Sequence, residues 1–200
     1  MGPDIRGLLL CGGRATRFGS DKLAAMIEIA GVRAPLAAHA ARHLIEGVGN
    51  AIAVLPLGTS GLRAALAQEG CEILETDRTA RGMGSSLAAA VESADSADGW
   101  IVALGDMPLI RAATFHAVKE ALAGGAAIAA VVERASGRRG HPVGFSARLR
   151  SELVALKGDV GARDILERHV REIVVVPTDD AAIFVDIDTA EDLARLLSAG

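Results

Sequence analysis

Short apolar runs alternate with longer alanine- and leucine-rich stretches along this chain. The runs at 5–11, 52–55, 71–74, 100–104, 127–132, 172–176 and 183–185 have strand length and little alternation. That pattern suits strands buried on both faces. Between them lie 35–46, 61–68, 85–93, 112–123, 161–169 and 190–197, where apolar positions recur at helical spacing. The order predicts an α/β fold with a mostly parallel sheet and helices on both of its faces. Gly124-Gly125 and residues 136–140 read as loops inside one domain spanning 1–200, with no linker or repeat.

Composition narrows the classes. At 200 residues the chain can bury a substantial core, and half of it is apolar. Aromatics make up only 2%, so the packing must come from Ala, Val, Leu and Ile. The net charge of −4 argues against bulk nucleic-acid binding, which needs a basic surface. A local basic cluster still suffices for a single nucleotide. Cys11 and Cys71 form no pair motif, which fits a reducing, cytoplasmic setting. No signal peptide or membrane-spanning run is expected.

The chemistry begins where the first strand ends. Gly12-Gly13-Arg14-Ala15-Thr16-Arg17-Phe18-Gly19-Ser20-Asp21-Lys22 follows the strand directly. Open α/β sheets bind ligands at such strand ends. Glycines let backbone N–H groups approach phosphate oxygens, and Arg14, Arg17 and Lys22 add positive charge. The loop lacks the Gly-x4-Gly-Lys-Ser/Thr spacing of a P-loop. It also lacks a dinucleotide fingerprint, as does Gly82-Met83-Gly84, where Leu87 stands in place of the last glycine. A site for a polyphosphate and an ordinary glycine-rich turn are the two readings, and the flanking cations favour the first.

Asp106 follows the run at 100–104 and Gly105, and Asp186 follows the run at 183–185. In a parallel sheet both carboxylates share the edge of the glycine loop. Two carboxylates beside a polyphosphate suit Mg²⁺, which takes one or two carboxylates plus phosphate oxygens and water. A turn-forming role is the alternative for each. Asp188, with Glu191 three residues on, reads as a helix cap.

Other candidates are weaker. His39 and His43 have the spacing of a zinc pair but no intervening Glu for base chemistry, and read better as a helix face. Arg138-Arg139-Gly140-His141-Pro142 offers an anion-binding cluster or a solvated loop. Gly82-Met83-Gly84-Ser85-Ser86 leads into a helix, with Ser85 or Ser86 as its cap and its start as a possible anion site.

Together these segments resemble the molybdenum-cofactor nucleotidylyltransferases, which transfer CMP or GMP onto molybdopterin. Leu10-Cys11-Gly12-Gly13 through Lys22 is similar to the family's opening signature, with Cys11 where alanine is usual. Gly82-Met83-Gly84-Ser85-Ser86-Leu87 resembles the cytidylyl branch. So do Gly105-Asp106-Met107-Pro108, Arg139-Gly140-His141-Pro142-Val143 and Gly158-Asp159-Val160-Gly161-Ala162-Arg163. Asp186-Ile187-Asp188-Thr189 with Glu191-Asp192-Leu193 is similar to the family's ending, whereas Gly12-Gly13 follows the guanylyl pattern.

The resemblance implies a Rossmann-like three-layer sandwich with a mixed, mainly parallel sheet, of the nucleotide-diphospho-sugar transferase type. It implies that Leu10, Cys11, Gly12 and Gly13 hold base and ribose, and that Arg17 and Lys22 bind the triphosphate. Asp77, Gly82 and Ser85 would also contact nucleotide, and Arg139 and His141 the acceptor. Asp106 and Asp186 would bind Mg²⁺, with Arg17, Lys22 and Asp106 as the catalytic set. The implied substrates are CTP or GTP and a molybdopterin-type acceptor, and a molybdoenzyme is an implied recipient. A sugar- or alcohol-phosphate acceptor and a non-catalytic carrier are the alternatives, with a dehydrogenase further off.

Overall fold

A computed structural model describes residues 2–12, 22–188 and 191–192. The strands are β1 (Ile5–Leu10), β2 (Met26–Ile29), β3 (Val32–Pro35), β4 (Ala51–Leu55) and β5 (Glu72–Glu75). They continue with β6 (Gly99–Leu104), β7 (Ile128–Glu133), β8 (Arg139–Ser146) and β9 (Ile173–Thr178). The helices are α1 (Leu36–Val48), α2 (Ser60–Gln68), α3 (Met83–Ser93), α4 (Ala112–Ala123), α5 (Arg150–Val154) and α6 (Arg163–Arg168). Six of the seven expected strands and five of the six expected helices appear within a few residues of their predicted bounds. The expected helix at 190–197 lies almost wholly outside the described residues.

Seven strands form one sheet in the order β5-β4-β1-β6-β8-β7-β9. Every pairing is parallel except those of β8, which runs antiparallel to both β6 and β7. The mixed, mainly parallel sheet is thus confirmed. Strand alternation sends successive side chains to opposite faces. Leu9, Ala53, Ile101 and Ala103 pack with Leu44, Leu62 and Phe115 of α1, α2 and α4. Leu8, Leu10, Ile52, Val54 and Val102 pack with Leu87, Leu153 and Ile165 of α3, α5 and α6. This makes three layers. Trp100 is fully buried on its strand, and its indole N–H donates to the Ala94 carbonyl at 3.1 Å. Among the described residues no helix is long and apolar enough to cross a membrane.

Three local expectations are corrected. Residues 183–185 form no strand: Ala181–Phe184 is a 3₁₀ turn, because the Asp180 carboxylate caps it by accepting from the Ala182 N–H at 3.2 Å. Asp180 is itself buried and accepts from the Arg111 N–H and the Thr114 hydroxyl at 2.9 and 2.8 Å. The loop placed at 136–140 ends early, because Arg139 and Gly140 already belong to β8. The hairpin β2–β3 was not expected. It turns through Ala30 and Gly31, both at positive φ.

His39 is buried on α1, and its Nε2 donates to the Ile27 carbonyl at 3.3 Å, tying helix to hairpin. It is a core histidine, more deeply buried than the helix face expected of it. Burial pushes its pKa down, against the smaller raising effect of that hydrogen bond. A histidine kept neutral in the fold binds its proton first in the unfolded chain, so its stabilisation is present above about pH 6.5 and is lost as pH falls. His169 acts in the opposite sense, raised by hydrogen bonds to Glu172 and Glu152. Its effect cancels when two proteins that both carry it are compared. His39→Gln retains a side-chain donor. The stability of wild type relative to His39→Gln should fall between pH 7.5 and 5.5, measured by urea unfolding. A constant difference would contradict this account.

Candidate active site

The site is set by the pairing of β1 with β6. Leu10 stands opposite Leu104, so Cys11-Gly12 and Gly105-Asp106 leave the sheet side by side. The Gly105 N–H donates to the Leu10 carbonyl at 3.0 Å, extending the ladder one step. The chain runs from β1 toward β4 on one side, while β6 lies on the other, which makes this a topological switch point. The absence of a side chain at Gly105 matters, since a Cβ there would stand 2.9 Å from Cys11 Sγ. The Cys11 thiol is buried in the core with residues of α1.

Lys22 opens a 3₁₀ turn at Lys22–Ala24 and is nearly buried. Its ammonium donates to Asp106 Oδ2 at 3.0 Å and to Asp188 Oδ1 at 2.6 Å. Burial alone would lower its pKa, but the hydrogen bond to Asp188 and the charge of Asp106 outweigh this and raise it. Lys22 is therefore firmly cationic.

The carboxylates come from two segments that are bonded together, the end of β6 and the stretch after the 3₁₀ turn at Ala181–Phe184. The Ile187 N–H donates to the Asp106 carbonyl at 2.9 Å. Ile187 is buried against Ile27 and Leu36, which fixes the flanking Asp186 and Asp188 beside Asp106. Loss of water, a hydrogen bond with Asp188 and the charges of Asp188 and Asp106 hold the Asp186 carboxyl above its ordinary value. Asp106 Oδ1 is buried with no hydrogen-bond partner, although Oδ2 of the same carboxylate is bonded. An acceptor left in that state is a position for a cation or a ligand donor.

Asp188 corrects the sequence reading. Its carboxylate is engaged by Lys22, so it does more than cap the C-terminal helix. Its own N–H donates to Asp192 Oδ2 at 3.3 Å, the reciprocal contact expected of Glu191. Nothing local in the sequence signalled the distant lysine.

The segment at 77–85 forms the neighbouring wall. Gly12 has no room for a side chain, because a Cβ would approach Thr79 Cβ to 2.8 Å. Asp77 is exposed and pairs with Arg81 at 2.8 Å. Neither Ser85 nor Ser86 caps α3: Gly82 occupies that position with φ near 112°. The Ser86 hydroxyl donates back to the Gly82 carbonyl at 3.0 Å, and Ser85 Oγ accepts from the Gly158 N–H at 3.0 Å. The Gly84 N–H donates to the Gly158 carbonyl at 2.8 Å. Ser85 thus holds the 158–161 loop against α3. Gly13, Arg14 and Arg17 lie outside the described residues.

His141 and Arg139 stand on β8 and line, together with Leu10, an apolar cavity of about 480 Å³. Burial lowers the His141 pKa, against the raising effects of Asp106 and of a backbone hydrogen bond with Val102. Its Nδ1 is buried without a partner.

A glycine-edged strand end, a buried lysine and clustered aspartates on this sheet define a nucleotidyltransferase of the α/β type. The chain belongs to the family with a MobA-like NTP transferase domain, which it matches over residues 7–195. It is similar to the nicotine blue oxidoreductase of Paenarthrobacter nicotinovorans, at 28% identity over 98% of this chain and 97% of that protein. The structure of Rv0371c from Mycobacterium tuberculosis is similar, with TM-score 0.82 and 26% identity over 99% of both chains. A nucleotidyl transferase from Methanothermobacter shares the fold at TM-score 0.77 and 21% identity, over 99% of this chain and 98% of that one.

The contact between α3 and the 158–161 loop is testable. A Cβ at Gly84 would lie 2.4 Å from the Val160 carbonyl oxygen, which is backbone and cannot rotate away. Gly84→Ala should cost about 1–3 kcal/mol in urea unfolding and speed hydrogen exchange at the Gly158 N–H. Unchanged exchange would mean that the loop does not depend on this close approach.

Proposed function

We propose that the protein transfers a nucleoside monophosphate from CTP, or alternatively GTP, onto the phosphate of a molybdopterin-type acceptor, as one 200-residue catalytic unit. The observation that carries this reading is the buried Lys22 ammonium bridging Asp106 and Asp188 at the β1–β6 switch point. The base assignment leans to CTP on the motifs at 82–87, 105–108 and 139–143, against the Gly12-Gly13 pair. A reducing cytoplasmic setting belongs to the same reading, on the absence of a pair motif between Cys11 and Cys71.

The acceptor phosphate oxygen is already ionised near neutral pH, so it needs no strong base. It attacks the α-phosphorus in line. A new P–O bond forms as the bond to the α–β bridging oxygen breaks, and pyrophosphate leaves with that electron pair. The main difficulty is bringing anions together, so positioning and electrostatics are the levers. Lys22 meets the α-phosphate, and Arg17 the rest of the triphosphate. Lys22 is held by carboxylates before the nucleotide arrives, which keeps its position fixed.

A divalent cation fits the residues present. Asp106 Oδ1 is an unpartnered buried acceptor, and Asp186 lies near it with a carboxyl that gains from a neighbouring positive charge. Among the described residues no three His, Cys, Asp or Glu side chains close on one point, so the phosphates and water would complete the shell. The ion, Mg²⁺ in this reading, would neutralise charge on the phosphates. The manganese complex of Rv0371c, 23% identical, is a protein of this fold with a divalent metal.

A redox role is the second reading. It is favoured by the full-length match to a protein named as an oxidoreductase. The missing dinucleotide fingerprint speaks against it.

Pyrophosphate release with molybdopterin and Mg²⁺ tests the proposal, with CTP and GTP compared. Asp106→Ala should nearly abolish turnover. Lys22→Ala should reduce kcat more than it raises KM, because its contact strengthens as charge develops. Wild-type turnover in either variant would remove that residue from the mechanism. Oxidation of a reduced nicotinamide cofactor with a dye acceptor, and no pyrophosphate release, would favour the redox reading.

A further inference from the structure

The two edges of the main sheet are built differently. At one edge β5 is four residues long and begins and ends in glutamate, with Glu72 and Glu75 paired to Arg6 and Arg63. Short, charged edge strands resist pairing with another chain. At the other edge β9 has six residues, and Ile173-Val174-Val175-Val176-Pro177 carries no charge. Val174 and Val175 point to opposite faces of the sheet and are 45% and 54% exposed. Val170, in the 3₁₀ turn that leads into β9, is exposed as well. Of the nine large apolar side chains exposed among the described residues, these three fall between 170 and 175. The apolar exposure is thus concentrated at this edge.

The backbone there is open too. The Thr178 carbonyl accepts from the Arg134 N–H at 3.0 Å, which continues the β7–β9 ladder. Backbone groups alternate sides along a strand. Val174, Val176 and Thr178 therefore bond toward β7, while Ile173, Val175 and Pro177 face outward. Among the described residues no strand pairs with β9 on that side.

This edge is complementary to itself. Let a second copy lie antiparallel to it, about a two-fold axis at Val175. Each Val175 N–H then meets the other Val175 carbonyl, and each Ile173 N–H meets a Pro177 carbonyl. Pro177 has no N–H to return, so the ladder stops there. The same register brings Arg171 of each copy toward Asp179 of the other. Arg171 is exposed and makes no ion pair among the described residues. Asp179 pairs with Arg134 at 3.4 Å but is still 79% exposed. Sliding the register by two residues loses that charge match. One rotation therefore satisfies the apolar strand, its outward backbone and the flanking charges, as an isologous contact requires.

We propose that β9 is the interface of a homodimer, in which the sheets of two copies join edge to edge. The inference is independent of the nucleotidyl-transfer reading. β6, which leads to Asp106, is separated from β9 by β8 and β7, so the contact lies away from that site.

Sedimentation velocity over a concentration series tests this. At about 10 μM the protein should sediment at twice the chain mass. Val175→Lys sets two ammonium groups at the axis and should weaken the dimer at least about tenfold. Arg171→Glu and Asp179→Arg each bring like charges together and should weaken it several-fold. The double variant restores opposite charges in reverse and should recover association. Val175→Cys should cross-link to itself under mild oxidation, because facing residues in a hydrogen-bonded antiparallel pair have Cα atoms about 5.5 Å apart. Cys11 and Cys71 are buried and do not compete. Val170→Cys, off the axis, should not cross-link.

A monomer at every concentration up to about 100 μM would overturn the proposal. So would a dimer untouched by Val175→Lys, a double charge variant no better than the single ones, or cross-linking at 170 in place of 175. The cysteine variants alter one small apolar group at exposed positions, so they decide the matter even where a charged variant fails to fold.

Discussion

The parallel pairing of β1 with β6, carried to the last residue of each strand, is the constraint on which the site depends. Once Leu10 is opposite Leu104, the next residues on both strands must emerge together. The Gly105 N–H reaching back to the Leu10 carbonyl locks that exit, and the Ile187 N–H on the Asp106 carbonyl adds the third segment. None of these bonds involves a functional side chain. Backbone geometry alone thus delivers Asp106, Asp186 and Asp188 to one place. Burial of Ile187 with Ile27 and Leu36 keeps the third segment there. The small hairpin β2–β3 is therefore part of the site's support, although it stands apart from the main sheet.

Electrostatics follow from that geometry. One ammonium is paired with two carboxylates, and a third, Asp186, lies beside them, so the local charge is negative even though the ligand we propose is highly anionic. Lys22 cannot offset both the aspartates and a polyphosphate. The Asp186 carboxyl is raised first by loss of water and by its hydrogen bond with Asp188, and the charges of Asp188 and Asp106 add to this. Additional positive charge must enter with the nucleotide, and a divalent cation at the open oxygen of Asp106 is the simplest source. Arg14 and Arg17 contribute from the glycine loop in this reading. The ion pairs that Lys22 makes now are then exchanged in part for phosphate contacts.

Much of this was legible in the chain before its structure. The buried runs were long enough and apolar enough to give the strands, and Asp106 stood out because a carboxylate follows an uninterrupted apolar strand. β8 was harder to see. Arg139-Gly140-His141-Pro142-Val143-Gly144 carries two glycines and a proline, which argue locally against a strand. The structure explains both glycines by close contact: a Cβ at Gly140 would lie 2.5 Å from the Ile183 carbonyl, and one at Gly144 would lie 2.7 Å from Val118. Those contacts are tertiary, so local propensity misleads. The β2–β3 hairpin was hidden for a related reason. Its turn places Ala30 at positive φ, where Asn, Asp or Gly would have announced it. Asp188 was read as a cap because its spacing suits one, and only the fold brings it to Lys22.

The division between the two halves of the site has its own physical logic. The phosphate side is built from backbone edges, a lysine and aspartates, all of which act through charge. The cavity side is built from aliphatic side chains and Phe145, which act through exclusion of water. His141 stands at the boundary, with one nitrogen already without a partner. The charged cluster is held by backbone bonds and by Ile187, whereas the cavity is lined by side chains of β6, β7, β8, α3 and α6, so the walls of one can change without rebuilding the other.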